Sequence, residues 1–273
     1  MLPLATQGGI AGVLLLLAAA APARPAPAGR GSAGPSRPGA VTPLAVAAAA
    51  NLEPVLPELE AGFEAAHPGV DVRITVGASG SFFAQIRNGA PFDVFLSADA
   101  EYPRKLVEAG LGRKEDVAVY ATGELVVWAP ASSTLDLERR GLAALADPAL
   151  RKLAVANPAL APYGRAAEAA LRAAGVLAAV KGRLVLGESV AQAAQFAQSG
   201  AADAALVPRS LTFAPALRDG KILPVPEGSH PPLPQAALPL AGAREPGLAR
   251  AFVAFVAGPQ GRAVLGRWGY GPP

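Results

Sequence analysis

The sequence predicts an α/β fold of two lobes, each a mainly parallel sheet flanked by helices, with a ligand cleft between them. Three observations point to it. Strand-like apolar runs alternate with helix-period segments from Leu44 onward, and this alternation calls for a parallel sheet covered by helices. The alternation restarts after Leu125–Ala129 (LVVWA), which divides the chain into two rounds. Four strand-to-helix junctions, two in each round, are made of small or neutral residues. The 273 residues suffice for one large or two smaller domains with a substantial core.

The chain taken in order supports each element. Leu44–Ala50 (LAVAAAA) is a continuous apolar run that fits a buried strand. Asn51 follows as a helix N-cap candidate, with Leu52, Val55, Leu56, Leu59 and Phe63 on one face. Pro57 conflicts with that helix and predicts a bend in it. In Asp71–Val76, Val72, Ile74 and Val76 alternate with polar residues as in a half-buried strand. GASGS (Gly77–Ser81) then turns into a helix carrying Phe82, Phe83 and Ile86. Phe92–Ala98 is the next strand, with Asp99 capping a helix that Gly110 stops. The second round has strands at Leu153–Ala156, Leu184–Leu186 and Ala202–Val207. Its helices open at Pro162-Tyr163-Gly164 and at Val190, where Ser189 and Gln192 form a capping-box pattern. Ile222–Val225 and a weaker, proline-interrupted Leu238–Leu240 are late strands that return to complete the first lobe. Two helices, Gly247–Ala257 and Gln260–Trp268, close the chain. The expected lobes are residues 44–123 plus about 222–273, and 124–221.

Before the fold, Gly9–Ala21 is an apolar run of signal-peptide length, followed by A-x-A sites at Ala21–Ala23 and Ala26–Ala28. Residues 1–28 therefore read as a signal peptide, and residues 29–43, rich in Pro, Ala and Gly, as a flexible linker. Arg24, Arg30 and Arg37 are the only charged side chains before residue 44. With these three set aside the 24 basic side chains fall to 21, equal to the 21 acidic ones. A near-neutral folded part argues against nucleic acid as a partner. The absence of cysteine excludes disulfides, thiolate metal sites, a cysteine nucleophile and a lipidated N-terminal cysteine.

The four junctions are Ala50-Asn51, Gly77–Ser81, Pro162–Gly164 and Glu188–Val190. The first N–H groups of a helix have no partner within it and sit at the positive end of its dipole, so such turns suit an oxyanion. In open α/β sheets these turns lie at the carboxyl ends of the strands, where ligands bind. Asn51, Ser79, Ser81 and Tyr163 offer side-chain donors, while Ala50 and Val190 offer only backbone N–H. Arg or Lys is absent from the turns themselves, which suits a small dianion held by hydrogen bonds without a counter-charge. Taken alone, GASGS would also serve as a plain turn with a serine N-cap.

Enzyme readings find little footing. GASGS lacks the second glycine of a G-x-S-x-G nucleophile elbow. His67 and His230 each stand beside proline in a loop, without metal-ligand spacing. Trp128 and Trp268 read as core residues.

The runs AAAANLEP and VGASGSFFAQIRNGAPFDVFLSAD, followed by the Pro-Tyr-Gly and Glu-Ser-Val turns, resemble the periplasmic molybdate-binding proteins of ABC transporters. The resemblance spans Leu44–Tyr270. It implies the two-lobed periplasmic-binding-protein fold closing on a tetrahedral oxyanion, and it implies ligand contacts at Ala50, Asn51, Ser79, Tyr163 and Val190. Asn51 stands where many relatives carry serine, and Pro208 where some place a ligand tyrosine. The implied function is binding of molybdate, and of tungstate, in the periplasm and its delivery to an inner-membrane ABC permease. The implied protein is an exported monomer, without enzymatic activity or cofactor, that meets molybdenum only as bound molybdate. The alternatives are a binding protein for another small oxyanion such as sulfate, or an enzyme or sensor on the same fold.

Overall fold

The computed structural model describes residues 41–273, so the expected signal peptide and most of the linker lie outside the described residues. The first lobe contains β1 (Thr42–Ala49), α1 (Leu56–Ala66), β2 (Val70–Gly77), α2 (Ser79–Arg87), β3 (Val94–Ser97), α3 (Glu101–Glu108) and β4 (Ala118–Gly123). The second contains β5 (Leu125–Ala129), α4 (Leu137–Arg140), β6 (Leu153–Ala156), α5 (Pro162–Ala173), α6 (Leu177–Val180), β7 (Leu184–Gly187), α7 (Val190–Gln198), β8 (Ala204–Pro208) and β9 (Lys221–Pro224). The chain then returns to the first lobe through β10 (Leu233–Pro239), α8 (Pro246–Ala257) and α9 (Pro259–Arg267).

The two sheets share one plan. The first has the order β2-β1-β3-β10-β4 and the second β7-β6-β8-β5-β9. In each, the first three strands are parallel and the fourth runs antiparallel to both neighbours, so the sheets are mixed. The fourth strand is in each case the one that has just crossed from the other lobe. β1 is alanine-rich and fully buried from Val46, which lets helices pack closely on both faces. β2 is an edge strand, so its alternation leaves Val72 buried but Val76 exposed.

Several expectations are corrected. Asn51 caps no helix: Ala50–Leu52 is a short 3-10 turn, and α1 begins only at Leu56. Pro57 therefore sits in the first turn of α1, where its missing N–H costs nothing, and no bend follows. α2 starts at Ser79, with Ala78 at its cap, rather than after GASGS. β4, unforeseen, supplies an edge of the first sheet, and β9 pairs with β5 in the second sheet. The return to the first lobe is made by β10, not at residue 222. The weak candidate at Leu238–Leu240 catches only the end of β10, which starts at Leu233 and is an interior strand between β3 and β4. Its register shifts between Gln235 and Ala236, just after Pro234. Trp128 is core, but Trp268 is only half-buried and donates through Nε1 to Glu58. Ala100, not Asp99, holds the cap position of α3, though Asp99 just before it accepts from Tyr102 N at 3.0 Å in the first turn.

Candidate functional site

Ala50, Asn51, Ser79, Tyr163 and Val190, which are far apart in the chain, line one small cavity between the lobes. Ala49, Gly77, Ala78, Ala98, Ala161 and Pro162 complete its wall. Each corner is a strand-to-helix junction. The 3-10 turn after β1 brings Ala50 and Asn51, and the first residue of α2 brings Ser79. Pro162 and Tyr163 open α5, and Val190 opens α7. The centre of a water-sized sphere has only ≈ 10 Å³ in which to move, so the cavity fits one small ligand. No side chain in its wall carries a formal charge.

The local sequence explains the donors. Proline at the first position of α5 fixes the helical φ and leaves the Tyr163 N–H as the first available amide of that helix. Ser189 accepts from Gln192 N at 3.3 Å while Gln192 Oε1 accepts from Glu188 N at 2.6 Å, which holds the Val190 turn in shape. Ser79 Oγ accepts from Ala98 N at 3.0 Å, so the hydroxyl proton remains for a ligand. Gly164 lies so close to Ala156 O that a Cβ there would collide with it.

Two side chains differ from expectation. Asn51 is fully buried, and its Nδ2 donates to Gln235 Oε1 and Tyr270 Oη, both at 2.8 Å. Tyr163 Oη accepts from Gln235 Nε2 at 2.9 Å and packs against Gly123, where the chain crosses between lobes. Asn51 Nδ2 is committed to these two partners, whereas the Tyr163 hydroxyl is engaged only as an acceptor and keeps its proton; each turn also offers its backbone N–H. Ser81 is not in the wall, and neither is Pro208. Burial raises the hydroxyls of Tyr120, Tyr163 and Tyr270 well above the ordinary tyrosine range, so all three stay protonated. The sequence reading missed Gln235, Tyr120, Tyr270 and Ser210, which form the hydrogen-bonded layer behind the cavity. The signal available was a single glutamine inside an otherwise apolar segment.

Outside the cavity, towards α7, lies a groove of ≈ 710 Å³ whose wall includes Glu53, Gln192, Gln195 and Trp268. It shares Ala50 and Gly77 with the cavity and forms the outer part of the same cleft. Across the opposite side, Arg165 Nη2 meets Asp99 Oδ2 at 2.6 Å, and Gly80 N donates to Leu160 O at 2.8 Å. His67 stacks on Phe63 at 4.0 Å, and His230 lies on the surface; no cluster of metal-ligating side chains occurs among the described residues.

The profile of the bacterial extracellular solute-binding protein family matches residues 44–271. The chain is 36% identical to the molybdate-binding protein ModA of Azotobacter vinelandii, over 83% of this chain and 88% of that one. It is 34% identical to the molybdate-binding protein ModA of Rhodobacter capsulatus, over 85% and 90% respectively. The solved structure of the Azotobacter vinelandii periplasmic molybdate-binding protein superposes with a TM-score of 0.78 at 33% identity, covering 84% of this chain and 99% of that one.

Proposed function

The chain belongs to the bacterial extracellular solute-binding protein family, and from that premise we propose that it binds molybdate in the periplasm and delivers it to an ABC-type permease. The observation that carries this reading is the cavity itself. Helix-start turns from both lobes converge on a small space whose wall bears no charged side chain. A compact dianion is matched there by backbone N–H groups at Ala50, Asn51, Tyr163 and Val190 and by the Ser79 N–H and hydroxyl. Tungstate, a tetrahedral dianion of nearly the same size, is a second ligand. The chain acts as a monomeric binding protein and not as an enzyme, and the anion is its cargo.

Lobes that close around the anion present a composite surface to the permease. A ring of donors spaced for a large tetrahedral oxyanion leaves smaller sulfate with some contacts too long for good hydrogen bonds. Calorimetric titration of the purified protein with molybdate, tungstate, sulfate and phosphate tests the reading. Tight binding of the first two and much weaker binding of sulfate is expected. Equal affinity for sulfate and molybdate would defeat it.

A further inference from the structure

Behind the cavity one side chain touches both halves of the candidate site. Gln235 is fully buried at the register shift of β10, and such a bulge re-aims the side chain it carries. Its Nε2 reaches Tyr163 of the second lobe, while its Oε1 accepts from Asn51 Nδ2 at 2.8 Å and from Tyr120 Oη at 3.0 Å. Tyr120 Oη also lies 3.0 Å from Ser97 O. Tyr270 Oη and Ser210 Oγ each approach Asn51 O at 2.8 Å.

Proton bookkeeping shows this layer to be incomplete. Asn51 Oδ1 is buried and has no hydrogen-bond partner among the described residues. Tyr163 Oη is engaged only as an acceptor. An orphaned acceptor costs roughly as much as a lost hydrogen bond, and one in the wall of an anion cavity would also repel the anion. If both carboxamides turn over by half a turn, the contacts of their amide groups reverse in sense, and Tyr270 Oη, with its single proton, gives up its bond to Asn51 O. Gln235 Nε2 then donates to Asn51 Oδ1 and to Tyr120 Oη, whose own proton goes to Ser97 O. The Tyr163 hydroxyl donates to Gln235 Oε1. Tyr270 donates to Asn51 Oδ1, and Ser210 keeps Asn51 O. No buried acceptor is left over, and Asn51 Nδ2 occupies the place of the orphaned oxygen.

We propose that Gln235 is a positioning residue that sets the polarity of Asn51: with the two carboxamides in the turned-over arrangement, Asn51 Nδ2 faces the cavity and donates to an unprotonated tetrahedral anion. The proposal rests on the reading that the cavity holds such an anion. Gln235 can serve either orientation because its amide carries one donor and one acceptor group, and because a tyrosine hydroxyl such as Tyr163 can donate or accept.

Gln235→Glu and Gln235→Met, titrated with sodium molybdate beside the wild type, test it. An ionised Glu can only accept, so it holds Asn51 Nδ2 and keeps Oδ1 towards the cavity. Gln235→Met removes the bias without opposing the anion. At pH 8, Gln235→Glu should lose more than roughly 100-fold in affinity and Gln235→Met about tenfold. Between pH 8 and pH 6, protonation of the buried carboxyl restores a donor, so Gln235→Glu should regain affinity while the other two proteins stay flat. Equal affinities for the two variants, with no recovery on acidification, overturn the proposal. Should Gln235→Glu not fold, ¹⁵N labelling of wild-type Asn and Gln decides: both carboxamide signals must move at saturating molybdate, and unmoved signals overturn it. A wild type that binds another tetrahedral anion but not molybdate refutes the ligand assignment alone, and the comparison is then made with that anion. A wild type that binds none refutes both.

Discussion

At the scale of single residues, Ser79 carries two roles that one substitution separates by magnitude. Its Oγ accepts from the buried Ala98 N–H, and its proton is free for the ligand. Ser79→Ala should lower molybdate affinity roughly 10- to 150-fold, the worth of a hydrogen bond to a charged group. It should also cost the ligand-free protein about 1–3 kcal/mol, because Ala98 N is left unpaired in the core. Titration calorimetry and thermal melts on the one variant check both, and unchanged affinity would remove Ser79 from the ligand shell. Tyr163→Phe should behave differently. The backbone N–H that faces the site survives, so affinity should fall less than about tenfold; a larger loss would show that the hydroxyl itself meets the anion. The five positions that line the cavity could be singled out in the sequence because short runs of adjacent residues build each turn. Gln235 and Tyr270 could not, since they meet Asn51 across 184 and 219 positions and nothing local marks such a partner.

At the scale of elements, the strands that sequence patterning found are those whose burial is one-sided or complete along a continuous apolar run, such as β1 and β5. β4 went unseen because Ala118–Gly123 is short and mixes Tyr and Thr with alanine. β10 was underrated because Pro234 and Pro239 argue against an interior strand, yet the bulge beside Pro234 accommodates the missing donor there. What fixes β3 beside β1 is less visible still. Asp93, almost fully buried, accepts from Ala45 N at 2.7 Å, Arg244 N at 2.8 Å and Arg244 Nη2 at 2.8 Å. Burial pushes its carboxyl up, but the Arg244 side chain and the two backbone donors outweigh burial and hold it below the ordinary carboxylate range. A depressed folded-state value gives stability that is present at neutral pH and is lost as pH falls through the acid range. Asp93→Asn should therefore cost about 2–3 kcal/mol near pH 7. The gap should narrow as pH falls from 6 towards 3, and thermal melts across that range check it. A gap that stays constant with pH would mean the charge on Asp93 contributes nothing.

At the scale of the whole molecule, two sheets with one strand plan exchange their fourth strands, so two crossings, at Gly123-Glu124 and at residues 225–232, connect the lobes. The two rounds of alternation made the two lobes legible, but not β4 or the exchanged antiparallel strands, and the return was set too early because β9 looks in sequence like any returning strand. Contacts between the lobes across the cleft decide how tightly the cavity is enclosed. Arg165 of α5 reaches Asp99 and lies over the Tyr102 ring at 5.4 Å. Its side chain is 39% exposed, so Arg165→Ala should weaken molybdate binding only several-fold, by an amount that shrinks in high salt. Gly80 is the stricter point. It lies in the first turn of α2, and a Cβ there would come within 2.7 Å of Leu160 O and 2.6 Å of Tyr102 Oη. Tyr102 belongs to the same lobe and can swing aside, but the Leu160 carbonyl moves only with the second lobe. Alanine is also the better helix former by about 1 kcal/mol, so nothing within the first lobe should suffer. Gly80→Ala should therefore leave the ligand-free melting temperature unchanged or raised, weaken molybdate roughly 10- to 100-fold, and abolish the compaction that ligand produces in small-angle scattering. Wild-type affinity together with wild-type compaction would show that the contact between Gly80 and Leu160 plays no part in enclosing the anion.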